Sequence, residues 1–306
     1  MLRLLMGTVA VFLLNATAMT AFAQTTGPRV HSLIIAAQDD ELPNAQKSGN
    51  RLKALLDKAH NELPAVFKPV RVLGLGDGRR LTAQLVKAEV ERTFSAANDF
   101  QPDDTMLCYV FTHGGHSTDR RLPFEMYEHG HFFQVQYVQN PRIGVSFFAR
   151  TDLFETLLDQ RQTAANSSAY SHRLRGLTVL ISDSCNNAVD APADGAAPGV
   201  QAPPTYTLDL LTNLLTKYQG QVSLNASTTN ELAWYGSQFG GRFSFALVEN
   251  MKRMDFNTTW AGIIDEVRQN LADDFPATGK RGPDNVLYRS QTPMWMRDST
   301  RVRVRP

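Results

Sequence analysis

Apolar, β-branched runs alternate with segments of helical period along most of this chain, and no other feature restricts its fold as much. Five runs read as buried strands: "RVHSLIIAAQ" (29–38), "KPVRVLGL" (68–75), "TMLCYVFT" (105–112), "LTVLIS" (177–182) and "QVSLNAS" (221–227). The segments between them repeat apolar residues every three or four positions, as in Leu52, Leu55, Leu56 and Ala59 of "NAQKSGNRLKALLDKAHNEL". Further helices are expected over 81–97, 150–160, 208–219, 241–254 and 259–274. This order predicts an α/β fold with a mostly parallel sheet sandwiched by helices on both faces. Right-handed crossovers join its strands. A polar, aromatic insertion (about 117–149) interrupts the series and contains a candidate hairpin, "HFFQVQYV". "TPMWM" (293–296 and its Thr292) is expected to close one edge, and the arginines of the terminal "RVRVRP" to alternate outward along an edge strand.

The first 23 residues stand apart. They carry one early cation, Arg3, then an apolar run, then Ala21-Phe22-Ala23, which is a small-x-small cleavage pattern. The run is short for a membrane span and is broken by Asn15 and Thr17. We read residues 1–23 as a secretory signal and 24–306 as one domain that is periplasmic or secreted, with no membrane attachment after signal removal. About 280 residues remain, enough for a single large core, and the Pro/Ala/Gly loop at 188–204 lies within one alternating series. With 31 basic and 30 acidic residues, the composition excludes an electrostatic nucleic-acid binder. The two cysteines are not placed to pair: Cys108 lies inside one strand and Cys185 past the end of another, several residues out of step.

In open α/β sheets, ligands bind beyond the carboxyl ends of the strands. Two such ends carry reactive groups. The third strand leads into His113-Gly114-Gly115, and the fourth into Asp183-Ser184-Cys185. If these strands are neighbours, an imidazole and a thiol share one edge, the pair needed to generate and use a thiolate. Gly114 brings its backbone close for want of a side chain, so its N–H and that of Cys185 can serve a developing oxyanion. Asp183 lies two residues before Cys185 and projects to the same side of an extended chain, where a carboxylate can hold a cationic substrate side chain. It could instead cap a backbone turn. His116, three residues beyond the strand, is an alternative base. His113, His116, His129 and His131 also form His-x-x-His and His-x-His pairs, so a zinc site is a second reading.

A hydrophobic strand ending in His-Gly followed by one ending in Asp-x-Cys resembles the caspase-like cysteine peptidases, in particular the metacaspase and bacterial caspase-homologue branch. "SLNASTTNELAWYG" with "GGRFSFALVENM", and "SQTPMW" near the end, resemble the family's substrate loop, following helix and late Gln-x-Pro segment. The resemblance implies a peptidase acting on peptides or proteins. In it His113 is the base, Cys185 the nucleophile, Gly114 an oxyanion donor, and Asp183 the acid that selects Arg or Lys before the scissile bond. By analogy, Ser227 and Glu231 line that pocket. Two departures stand out: Phe111-Thr112 replace the Ser-Gly that metacaspases place before the histidine, and Asn186-Asn187-Ala188 replace the His-Ser-Gly after the cysteine. They leave open an inactive caspase-fold binding protein. The resemblance requires no cofactor. Calcium activation, known in part of the family, has no recognisable loop here. No Lys or Arg occurs between Val179 and Thr216, so an Arg-directed enzyme could not nick itself after Cys185; 159–176 is the better place. Oligomeric state stays open.

Overall fold

The computed structural model describes residues 27–36, 45–74, 81–115, 132–136, 146–166, 175–184, 208–228, 231–236, 240–253, 259–273, 280–281, 287–288, 290–295 and 301–305. The strands are β1 (Val30–Ala36), β2 (Arg71–Leu73), β3 (Thr105–Phe111), β4 (His113–Gly115), β5 (Phe132–Gln136), β6 (Ser146–Ala149), β7 (Leu177–Asp183), β8 (Tyr218–Asn225), β9 (Tyr235–Gly236), β10 (Gly240–Gly241), β11 (Lys280–Arg281), β12 (Leu287–Tyr288), β13 (Met294–Trp295) and β14 (Arg301–Val304). The helices are α1 (Ala45–Glu62), α2 (Ala83–Thr93), α3 (Arg150–Ala164), α4 (Leu208–Thr216), α5 (Arg242–Arg253) and α6 (Trp260–Asp273). The central sheet runs β8-β7-β3-β1-β2 in parallel, and β13 and β14 both pair antiparallel with β8. The five expected strands therefore form one parallel sheet, and "TPMWM" and the terminal arginine run lie along its β8 edge.

Period-two alternation separates the core into two layers. Leu107, Tyr109, Phe111, Val179 and Ile181 pack with α1, α5 and α6, whereas Met106, Cys108, Val110 and Leu180 pack with α2 and α3. Leu52, Leu55, Leu56 and Ala59 of α1 are buried, as their spacing requires. Boundaries shift where a local group decides. Thr82 Oγ1 accepts from Leu85 N at 3.1 Å, so α2 starts after this cap and not at Leu81. The helix expected through Gln219 stops at Thr216, because Tyr218–Gly220 join the ladder with β14 and β7. β2 shrinks to three residues; it is an edge strand behind Pro69, which has no N–H to offer.

Opposite the candidate site, at the amino ends of the strands, two further groups lock the sheet. Arg161 of α3 is fully buried and donates to Thr178 Oγ1, Leu177 O, Asp104 O and Pro102 O at 2.8–2.9 Å. Asp104 accepts from Arg29 N, Arg29 Nη2 and Gln101 N, and shares a 3.0 Å bond with His31 Nε2. Burial alone would push its carboxyl up, but the bonds from His31 and Arg29 hold it below its ordinary value. A depressed carboxylate stabilises the fold above its unfolded pKa, and that contribution is lost as pH falls through the lower folded value. Asp104→Ala is expected to reduce unfolding free energy by about 3 kcal/mol at neutral pH, because it removes the buried acceptor of His31 and leaves Arg29 only its exposed bonds to Asp99. The deficit should shrink in urea melts below about pH 4. An equal deficit at pH 3 and pH 7 would contradict this account.

Candidate active site

β3 and β7 are hydrogen-bonded neighbours, in register from Thr105↔Leu177 to Phe111↔Asp183. His113 follows the last β3 residue of that ladder by two positions, and Cys185 follows Asp183 by two. Cys185 itself lies outside the described residues, as do His116, His129 and His131. Among the described residues no cluster of His, Cys, Asp and Glu is suited to a metal ion. Cys108 pairs in register with Leu180, five residues short of Cys185. It is a free buried thiol that burial pushes up to about 12.

His113 is not simply the end of the third strand. β3 stops at Phe111, buried Thr112 makes the corner, and His113–Gly115 form β4 in a separate antiparallel sheet, β4-β5-β6. The insertion thus supplies ladder partners for backbone groups at the site that would otherwise need water. His113 is half-buried, with its Nε2 atom buried, and Gly114 stands in register with Phe133.

Asp183 faces α5 and is 2 % exposed. Its Oδ2 accepts from Ser244 N at 3.2 Å and Ser244 Oγ at 2.5 Å, so it caps the first turn of α5. Tyr109 OH meets Ser244 Oγ at 2.5 Å and is also bonded to Ser48, whose Oγ accepts from Gly241 N at 2.8 Å. Burial pushes Asp183 up to about 6 against the opposing pull of Ser244, and burial with the nearby Asp183 charge pushes Tyr109 well above its ordinary range. Gly241 permits the close approach: a Cβ there would lie 2.0 Å from Asp183 Oδ2 and 2.8 Å from Phe111 Cε2.

The opposite face of β7 holds a second polar chain. Ser182 Oγ donates to Asn225 Oδ1 at 2.6 Å, Ser184 Oγ reaches the same oxygen at 3.4 Å, and Asn225 Nδ2 donates to Ser227 O at 2.7 Å. Ser227 is buried, and its Oγ donates to the Ser184 carbonyl at 3.2 Å, bracing the residue just before Cys185. Glu231 accepts from Ser290 Oγ, Thr292 Oγ1 and Thr292 N, tying its loop to residues 290–292. The sequence reading did not single out Ser182, Asn225, Ser244 or Tyr109. One signal was present: Ser223, Asn225 and Ser227 alternate through "VSLNAS", a polar row on one face of a strand whose other face is apolar.

A parallel sheet covered on both faces, with histidine- and cysteine-bearing segments leaving adjacent strands, defines an α/β protein of the cysteine-peptidase type. Residues 29–304 match the family model of the caspase domain, and the chain belongs to that family. A peptidase domain of this family would act on proteins or peptides. Among solved structures it is similar to caspase-1 from Spodoptera frugiperda, with a TM-score of 0.53 over 90 % of each chain at 15 % identity. No curated protein matches the chain.

Proposed function

We propose that this protein is a cysteine endopeptidase in which Cys185 attacks the scissile carbonyl and His113 takes the thiol proton, returning it to the leaving amine. The parallel, in-register pairing of β3 with β7 carries this reading, since it brings the two strand exits to one sheet edge. The N–H groups of Gly114 and Cys185 hold the oxyanion, an effect worth roughly 3 kcal/mol per donor. Asp183 selects Arg or Lys before the scissile bond. It is a buried carboxylate that meets only Ser244 as a hydrogen-bond donor among the described residues, and no cation there. Ser227 and Glu231 support this pocket through the loops they fasten. We place the enzyme outside the cytoplasm, periplasmic or secreted, after loss of residues 1–23.

The test is hydrolysis of a peptide panel carrying Arg, Lys, Asp, Asn or Leu before a reporter, with and without calcium. Cleavage after Arg and Lys, abolished by iodoacetamide at Cys185, is the expected result. Cleavage after Asp or Asn would keep the dyad and discard the role of Asp183. Silence toward every peptide, with an unreactive Cys185 in a folded sample, would leave a binding protein on a peptidase fold.

A further inference from the structure

Asp183 has one open carboxylate oxygen, not two. Its Oδ2 accepts from Ser244 Oγ at 2.5 Å and from Ser244 N at 3.2 Å, which fills the two lone-pair sites of that oxygen. Gly241 closes in on the same atom: a Cβ there would lie 2.0 Å from Oδ2. Among the described residues Oδ1 accepts no hydrogen bond.

The Ser244 hydroxyl is held to this role from behind. Its proton goes to the carboxylate, so in the 2.5 Å contact between Tyr109 OH and Ser244 Oγ the tyrosine is the donor. The Tyr109 oxygen then accepts from Ser48 Oγ, which itself accepts from Gly241 N at 2.8 Å. Each hydroxyl proton in the run Gly241–Ser48–Tyr109–Ser244–Asp183 is thus used once and in one direction, from an N–H that only donates to a carboxylate that accepts. A ligand that displaced Ser244 from Oδ2 would leave a buried hydroxyl proton without an acceptor, which is costly.

The two basic side chains ask different things of a carboxylate. A guanidinium gains most from fork pairing, with one N–H to each oxygen, whereas an ammonium is a compact point charge that needs only one. We propose that Ser244 is a specificity-determining residue: by occupying Oδ2 it leaves Asp183 a single open oxygen and sets the site for Lys over Arg before the scissile bond. The inference rests on the reading of Asp183 as the selecting acid. The second bond that a guanidinium forfeits corresponds to roughly tenfold in kcat/KM.

The experiment compares kcat/KM for peptides identical except for Lys or Arg before the reporter, in the unsubstituted protein, Ser244→Ala and Tyr109→Phe, with thermal melts to establish folding. The unsubstituted enzyme should favour Lys by roughly tenfold. Ser244→Ala opens Oδ2, so the Arg peptide should gain on the Lys peptide and the preference vanish or invert. Tyr109→Phe disturbs the same network but leaves Ser244 on Oδ2, so it should keep the preference for Lys. An Arg preference in the unsubstituted enzyme overturns the proposal, a result that requires neither variant to fold. An unchanged ratio in folded Ser244→Ala also overturns it, as does an equal change in Tyr109→Phe, which would make packing of the network the cause. Cleavage of basic peptides with Arg equal to or above Lys removes the Ser244 assignment alone and leaves Asp183 as the selector. Cleavage only after Asp, Asn or Leu, or of no peptide at all, removes the role of Asp183 and this inference with it.

Discussion

Cys185→Ala and His113→Ala should each lower kcat/KM on an Arg- or Lys-reporter peptide by roughly three orders of magnitude or more, and the double variant should lose no more than the worse single one. The reason is that in the proposed mechanism the two side chains perform one step. A neutral thiol is a weak nucleophile, and an imidazole without a thiol has no proton to move. Residues that act as a unit are strongly non-additive. The proposed dyad draws on two elements: Cys185 follows β7 of the central sheet in sequence, whereas His113 belongs to β4 of the small antiparallel sheet. Steady-state kinetics on the four proteins, with thermal melts to establish folding, measure this directly. Losses that multiply would mean that the residues act independently. Full activity in Cys185→Ala would place the nucleophile elsewhere.

The frame of the molecule was legible because burial on both faces leaves a plain mark. Strands such as "TMLCYVF" and "LTVLIS" are apolar without interruption, and α1 carries its leucines at helical spacing. The neighbourhood of β3 and β7 was stated only as a condition, since strand order depends on crossovers that no local pattern encodes. What stayed hidden is where tertiary partners override local preference. Nothing in "FTHGG" says that His113 begins a new strand, because the partner of that strand, β5, lies in the insertion. The departure at Phe111 has a similar explanation. Its ring packs in the core beside Gly241, where a larger residue would collide with both Phe111 and Asp183. A bulky residue before the histidine is thus matched by a small one about 130 positions later. Arg150, the buried first residue of α3, was invisible for the same kind of reason. An arginine opening a helix reads as an exposed residue until the fold carries that helix end under β7 and β8.

Asp183→Asn should lower kcat/KM for Arg and Lys peptides by roughly 100- to 1000-fold while sparing any slow cleavage of Leu peptides, since a buried charge pair loses one partner. The same variant should not weaken the free protein. Burial holds the Asp183 carboxyl at about 6, above its ordinary value, despite two bonds from Ser244. A raised acid stabilises the fold below its unfolded pKa and loses that contribution as pH rises through the folded value. Near pH 8 the ionised carboxylate is therefore a burden on the substrate-free fold. Asparagine still offers an oxygen to Ser244 but carries no charge. The Tm of Asp183→Asn should accordingly exceed that of the unsubstituted protein at pH 8, with the difference closing toward pH 4. In the unsubstituted enzyme, kcat/KM for basic peptides should climb with pH through about 6 as Asp183 ionises. That limb should be missing from the asparagine variant. A structural cap predicts the reverse pattern: lower Tm at every pH and peptides of all classes affected alike. The expected pattern would mark Asp183 as a carboxylate kept for its substrate at a cost to the free fold, because a neutral cap would hold α5 equally well.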